Sequence, residues 1–421
     1  MRQRTALEGL VSEARCRSCD TALARTFLDL GQQPLANSYL TAKQLAAGDD
    51  PVYPLHVRVC DACLLVQIEN VVAPEEIFSS YAYFSSYSES WVAHAQRYAS
   101  EATARLGLGP ESLVVEIASN DGYLLRHFVA AGVPVLGIEP AANVAEVAIA
   151  SGIPTDVRFF GRAMAEELIA DGRVADLVVA NNVLAHVPGL NDFVGGVATL
   201  LSDDGVFTVE APHLLELIKE VQFDTIYHEH LCYFSLLALH PLFERHGLRI
   251  FDVERLPTHG GSLRLWATRN ASKRPTEPSV QSVLDNEIAA GLDEPDGYAG
   301  FAPRVAQVTD ALRSFLAEER AAARTVAAYG AAAKGNTLLN STGVGPDDIA
   351  FVVDRNPHKQ GRYLPGSHVP ILDTDEVARR RPDALLILPW NLRDEITAQM
   401  SEIRSWGGRF VVPIPSLTVL G

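Results

Sequence analysis

Long apolar runs are missing from this chain. No stretch approaches the length needed to span a bilayer, and the opening MRQRTALEGL lacks the apolar block of a secretory signal. A cytoplasmic protein is expected. An excess of positive charge is missing as well: 52 acidic residues outnumber 35 basic ones, for a formal charge of −17. Nucleic acid and anionic membranes need a basic face and are not expected as partners, although a local basic pocket for a small phosphate ligand remains compatible. Internal repeats and low-complexity blocks are absent. A hydrophobic content of 48% beside 21% charged residues describes an ordinary globular chain. At 421 residues it exceeds what one core usually serves, so two or three domains are expected.

Cysteine is scarce, with five in all, yet four stand as two tight pairs, Cys16-x-x-Cys19 and Cys60-x-x-Cys63. In a reducing compartment such pairs are metal ligands more often than disulfides. Four thiolates close a tetrahedral zinc site and fill every coordination position, so the metal would hold a fold and perform no chemistry. A redox pair fits less well, because neither motif follows a strand and opens a helix. Residues 16–70 read as short strands and turns, too few to bury a large core without a staple.

Beyond a Tyr/Ser-rich segment and a helical run from Trp91 to Leu106, apolar strand candidates recur at 113–118, 135–139, 176–180 and 205–210, separated by helix-length stretches. This alternation predicts an α/β fold with a mostly parallel, doubly wound sheet, and segments 249–256 and 262–267 would close it as an edge hairpin. A linker is expected near 274–280 and helix over 284–325. A second alternation at 325–330, 349–354, 384–388 and 409–413 predicts a smaller α/β domain. The expected boundaries are 1–75, 76–283 and 284–421.

The G-x-G-x-x-G turn of dinucleotide folds is also missing. The strand 113–118 runs instead into Glu116-Ile-Ala118-Ser-Asn120-Asp121-Gly122. In open α/β sheets a ligand lies beyond the carboxyl ends of the strands, and an acid ending the next strand, here Glu139, commonly grips ribose hydroxyls. Asn181 and Asn182 end a third strand at the same edge. The arrangement resembles the S-adenosylmethionine-dependent methyltransferase core, although the usual G-x-G-x-G turn is replaced. A nucleotide-like fold with a vacant pocket is the plainer alternative.

Further on, Tyr227-His228-Glu229-His230-Leu-Cys232-Tyr233 concentrates titratable groups. Histidine exchanges protons near neutral pH, whereas a lone histidine is usually structural; the clustering favours chemistry. A metallopeptidase is excluded by spacing, since H-E-x-x-H needs a histidine at 232, where cysteine stands.

The cysteine pairs, Tyr81-x-Tyr83-x-Ser, Glu-Ile-Ala-Ser-Asn-Asp-Gly, Asn-Asn-Val-Leu-Ala-His186, Tyr-His-Glu-His-Leu and Tyr329-Gly-Ala-Ala-Ala-Lys334-Gly-Asn336-Thr337 occur in that order. Together they resemble the sugar-nucleotide C-methyltransferases of deoxysugar biosynthesis, which build branched sugars for antibiotics. The resemblance implies a zinc-binding domain, a methyltransferase domain and a C-terminal domain that helps hold the sugar nucleotide. It implies methylation of a carbon beside the ketone of a TDP-4-keto-6-deoxyhexose, with C3 expected, and a monomer. His230 is the expected base. Tyr227 and His186 are candidates for the enolate oxygen, Glu229 for orienting the cluster and Tyr81 for capping the pocket. Tyr83 would meet the substrate. His228, placed on the same face as His230 if the chain is extended there, would meet the substrate or exchange roles with it.

In the C-terminal half, Tyr329–Thr337 reads as strand, small-residue turn and helix start. Backbone N–H groups there, with Lys334, Asn336 and Thr337, would suit a diphosphate; the alternative is a packing turn. Arg264 is a further candidate phosphate partner. An NAD-dependent oxidoreductase would need the missing glycine fingerprint, although Asp354 would supply its acid. A non-catalytic zinc-stapled binding protein would not need the 227–230 cluster.

Overall fold

The computed structural model describes residues 14–69, 72 and 84–420, so Tyr81 and Tyr83 fall outside the described residues. Each Cys-x-x-Cys turn closes in the same way. The amide of the first cysteine donates to the carbonyl five residues on (Thr21, Leu65), and its own carbonyl accepts from the amide four residues on (Asp20, Leu64). Asp20 and Leu64 both adopt φ +62°, the left-handed step that turns the chain back across the thiols. From these turns β1 (Arg25–Pro34) and β2 (Val52–Val59) pair antiparallel, and β3 (Val66–Ile68) joins β2.

The helix Glu89–Leu106 begins at Ser88, whose hydroxyl accepts from the Trp91 amide, and ends at Gly107 with φ +64°. It packs on a sheet built from β4 (Val114–Ile117), β5 (Val135–Ile138), β6 (Thr155–Asp156), β7 (Ala175–Asn181) and β8 (Leu201–Pro212), all parallel. Along β7, Leu177 and Val179 enter one core cluster while Val178 and Ala180 enter the other. Both faces of β7 are therefore covered, which is why residues 177–180 read as an unbroken apolar run. A two-residue strand, β9 (Cys232–Tyr233), leaves this region altogether and adds to β3 of the first sheet. The hairpin β10 (Leu248–Leu256) and β11 (Ser262–Arg269) then completes the central sheet in the order β10-β11-β8-β7-β4-β5-β6, with β11 antiparallel to both neighbours. Strand order reverses between β4 and β7, so the ligand-accepting crevice lies at their carboxyl ends.

The expected helix over 284–325 is two helices, Pro278–Ala289 and Phe301–Ala321. Gly291 takes φ +78° and its carbonyl lies where a side chain on Gly297 would sit, so the chain folds back on itself between them. Pro278 starts the first helix inside the segment expected as a linker, and position 283/284 falls within that helix. Its Glu287 is buried, accepting from the amides of Leu236 and Leu237 and bonding His213. The last sheet is β12 (Val326–Tyr329), β13 (Val352–Val353), β14 (Ile371–Leu372), β15 (Ala384–Ile387), β16 (Arg409–Val412) and the antiparallel β17 (Thr418–Leu420), in the order β14-β13-β12-β15-β16-β17. Phe27 of β1 stacks on Phe301 at 4.7 Å, tying the first sheet to the long helix that leads into the last. Among the described residues, no helix is long and apolar enough to cross a membrane.

Candidate active site

The four paired thiols come together as the spacing predicts, with all Sγ atoms within 4.8 Å of one another. Cys16 and Cys63 are 3.4 Å apart and Cys19 and Cys60 are 3.5 Å apart. A tetrahedral zinc with bonds of about 2.3 Å needs sulfurs about 3.8 Å apart, so the cage fits that ion. Gln67 donates its amide N–H to Cys16 Sγ at 3.1 Å, and its backbone pairs with Cys232 of β9. One residue thus links the cage to the strand that continues the histidine cluster.

At the crevice, the turn after β4 alternates left-handed residues, Ala118 at φ +54°, Asn120 at +51° and Gly122 at +76°. A Cβ on Gly122 would come within 2.9 Å of Ile153, which accounts for the glycine. Glu139 accepts from the amides of Asn120 and Ala141 at 2.9 and 2.8 Å and so fixes the turn from the end of the neighbouring strand. The Asn120 and Asp121 side chains accept from the amides of Ser85 and Ser86, fastening the start of the N-terminal helical segment over the turn. Burial, with Glu139 and Asp121 close by, raises the Glu116 carboxyl well above its usual range. Glu116 Oε2, Asp121 Oδ1, Asn181 Oδ1 and Asn182 Oδ1 are buried acceptors without a protein partner. Unmet acceptors at one sheet edge call for a ligand rich in donors and positive charge. S-adenosylmethionine, with ribose hydroxyls, an ammonium and a sulfonium, has that character.

The histidine cluster lies beside this crevice but is not extended. Residues 227–230 form a turn in which the His230 amide donates to the Tyr227 carbonyl. Neighbouring side chains therefore diverge, correcting the expectation that His228 and His230 share a face. His228 points to the first sheet, donating to Pro54 O at 3.3 Å with its ring edge-on to Tyr53, and does not join the cluster. His230 donates from Nδ1 to Thr225 O at 2.9 Å, which leaves the lone pair on Nε2, and Nε2 accepts from Tyr227 O–H at 3.0 Å. The His186 ring lies 4.9 Å from that of His230, and its Nδ1 donates to Glu229 O at 2.6 Å. Burial and the neighbouring His186 hold His230 neutral, well below the ordinary histidine value. Glu229 meets the cluster through its backbone carbonyl, which accepts from His186, while its carboxylate accepts from Asn37 at 3.0 Å.

Across the cleft from the C-terminal domain comes Lys334, near the start of the helix Ala333–Thr342. Its Nζ bonds Asn391 at 2.8 Å and lies 4.7 Å from the Trp390 ring. It also faces Asp224, whose carboxyl burial pushes up to about 6 and which accepts from Trp390 Nε1 at 2.7 Å. Lys334 also lies close enough to His230 to help keep that imidazole neutral. Asn336 and Thr337 are instead buried tethers, Asn336 donating to Ala36 O and Thr337 to Ile226 O. The turn before them is already filled by an anion from within, since Asp354 accepts from the Ala331 amide at 2.8 Å. Gly330 and Gly335 pack against Pro389 and Leu388. The small residues at 330–335 serve helix-to-sheet packing. Arg264 is likewise committed, paired with Glu210 at 3.1 Å and Glu254 at 2.9 Å and buried over the Tyr98 ring. Asn336→Ala should lower stability by about 1–3 kcal/mol, because Ala36 O loses its donor, and should leave the KM for substrate unchanged. Denaturant melts beside steady-state kinetics check this, and a raised KM at unchanged stability would restore Asn336 to the substrate site.

His259, to which the sequence analysis assigns no role, stands in the Thr258-His259-Gly260-Gly261 turn between β10 and β11 with its backbone left-handed at φ +55°.

Comparison with known proteins agrees with this geometry. Three family models match in succession: a zinc binding domain over residues 16–78, a methyltransferase domain over 91–253, and a C-methyltransferase C-terminal domain over 257–415. The C-methyltransferase NovU of Streptomyces niveus is 38% identical over 405 residues, covering 96% of each chain. The ubiquinone biosynthesis O-methyltransferase of a Methylobacterium species is 33% identical over 108 residues, 24% of this chain and 42% of that one. The solved 1,6-didemethyltoxoflavin-N1-methyltransferase of Burkholderia thailandensis is 19% identical, covers 49% of this chain and 94% of that one, and has a TM-score of 0.35. With a near full-length relative, three consecutive family models, a zinc-sized thiol cage and an acceptor-lined crevice beside a neutral imidazole, the chain belongs to the S-adenosylmethionine-dependent C-methyltransferases.

Proposed function

We propose that this enzyme methylates a TDP-linked 4-keto-6-deoxysugar at a carbon beside the ketone, C3, by way of an enolate. The observation that carries the reading is the His230 ring: its Nδ1 proton is tied to Thr225 O, its Nε2 lone pair faces Tyr227 O–H, and it stays neutral. A hydrogen beside a ketone is acidic enough for such a base once a donor meets the oxygen that gains charge. His230 Nε2 takes the proton, and the C–H electron pair moves into the enolate. Tyr227 releases Nε2 as substrate enters and turns its O–H to the ketone oxygen. His186, with its ring beside His230, disfavours early protonation of the base. When bound, S-adenosylmethionine supplies an electrophilic methyl, and its sulfur keeps the electron pair of the broken C–S bond as the new C–C bond forms. The crevice acceptors Glu116, Asp121, Asn181 and Asn182 hold the methyl donor, and Lys334 approaches the substrate from the C-terminal domain. The zinc cage performs no step. The enzyme acts as a monomer in this reading.

Incubating enzyme, S-adenosylmethionine and a TDP-4-keto-6-deoxysugar in deuterated water tests the reading. Expected are a new C–CH3 group and solvent deuterium exchange at the same ring carbon. A methyl on oxygen or nitrogen, or none, would sink it. A second check is the pH profile. The His230 pKa is depressed, so the base stays unprotonated as pH falls through 6.5, and the acid limb of kcat/KM should lie below that value. A limb at or above pH 6.5 would exclude His230 as the base.

A further inference from the structure

We propose that His259 is a further catalytic residue, its imidazole N–H donating to the ketone oxygen of the sugar as that oxygen becomes an enolate. The inference rests on the keto-sugar reading above and assigns a residue that reading did not use.

The turn carrying His259 is held from several sides. His259, Gly260 and Gly261 take φ +55°, +90° and +117° in succession. Histidine enters the left-handed region more readily than most side chains, and the two glycines extend the turn at no steric cost. Here Glu210, at the carboxyl end of β8, accepts from Thr258 Oγ at 2.9 Å. Gln222 donates to Gly260 O at 2.7 Å, and Ser262 Oγ to Thr258 O at 2.9 Å. A Cβ on Gly260 would strike the Trp390 ring at 2.5 Å, and one on Gly261 would strike Glu216 at 2.8 Å. The two glycines let the hairpin press into this corner, and the side chain it presents there is the imidazole.

The corner touches both the cofactor turn and the C-terminal domain, through Trp91 and Trp390. Trp91 lies 5.3 Å from the His259 ring and stacks in turn on Tyr123 of the cofactor turn. Lys334 and His230 are both within electrostatic reach. His259 is an exposed residue in a crowded setting, and the protein packed around it, with Lys334, lowers its pKa to about 4. Held neutral, it keeps one N–H to offer and does not protonate, the state in which an imidazole polarises a carbonyl in proton-abstracting enzymes.

The test compares His259→Gly with the wild-type enzyme. Glycine adopts left-handed φ without penalty and carries no side-chain donor, so the variant should melt within a few degrees of wild type and bind S-adenosylmethionine unchanged in calorimetry. Its kcat for methyl transfer and its rate of solvent deuterium exchange should both fall about 100-fold, the usual loss for one oxyanion donor, with KM shifting less than threefold. Added imidazole should restore part of the exchange. Exchange within twofold of wild type in His259→Gly overturns the assignment, as does activity that falls only in step with the melting temperature. Wild-type enzyme that neither exchanges nor methylates the keto sugar overturns the substrate reading and this inference together. Wild-type activity beside an equally active His259→Gly removes this inference alone.

Discussion

Replacing His230 by asparagine should cut both methyl transfer and solvent exchange about 1,000-fold while leaving S-adenosylmethionine affinity unchanged. Asparagine is chosen because its amide can still donate to Thr225 O, the bond His230 makes from Nδ1. Alanine would remove the base and orphan that carbonyl together, mixing a chemical loss with a structural one. The ring is half-buried and shares a small cavity with Ala185, Leu214, Leu217 and Phe234, which a smaller side chain would enlarge, but the crevice acceptors lie on other elements. Calorimetry with the methyl donor, a thermal melt and exchange in deuterated water separate the outcomes. Exchange retained within tenfold would move the base to another group, and Tyr227, whose proton now lies against Nε2, would be the first to test.

Cys60→Ser should remove bound metal and unfold the N-terminal sheet. Structural zinc contributes on the order of 10 kcal/mol in small domains, comparable with the whole net stability of a typical domain. Serine oxygen is a poor substitute in a cage of thiolates, and three remaining sulfurs do not close a tetrahedron. Metal analysis should fall from one equivalent per chain towards none, and the melting temperature should drop sharply or the chain become insoluble. A folded, metal-free and fully active Cys60→Ser would show that the cage is not a staple.

The parts of this fold that could be read from sequence are those set by local patterning. Strands β4, β5, β7 and β8 are legible because their central residues are buried on both faces and mostly apolar. The thiol cage was visible because two short turns repeat one spacing, and each turn dictates its own geometry. What escaped depends on contacts distant in sequence. β9 has two residues and its partner lies in β3, so no periodicity announces it. The roles of Asn336 and Thr337 depend on the carbonyls of Ala36 and Ile226, which only the folded chain brings near. Residues 227–230 carry side chains compatible with a strand or a turn, and one backbone hydrogen bond decides between them. Arg264 read as an anion ligand because its acidic partners, Glu210 and Glu254, sit on different strands.

The pairing of β9 with β3 bears on how this enzyme can be cut or recombined. The reactive segment takes its register from a neighbouring module, through Val66 opposite Tyr233 and Gln67 opposite Cys232. A chimera that grafts the middle third of the chain onto a foreign N-terminus would keep its cofactor crevice and lose the brace behind its base. Exchange of parts among such enzymes should therefore succeed when the cysteine module travels with the histidines, and fail when the two come from different parents.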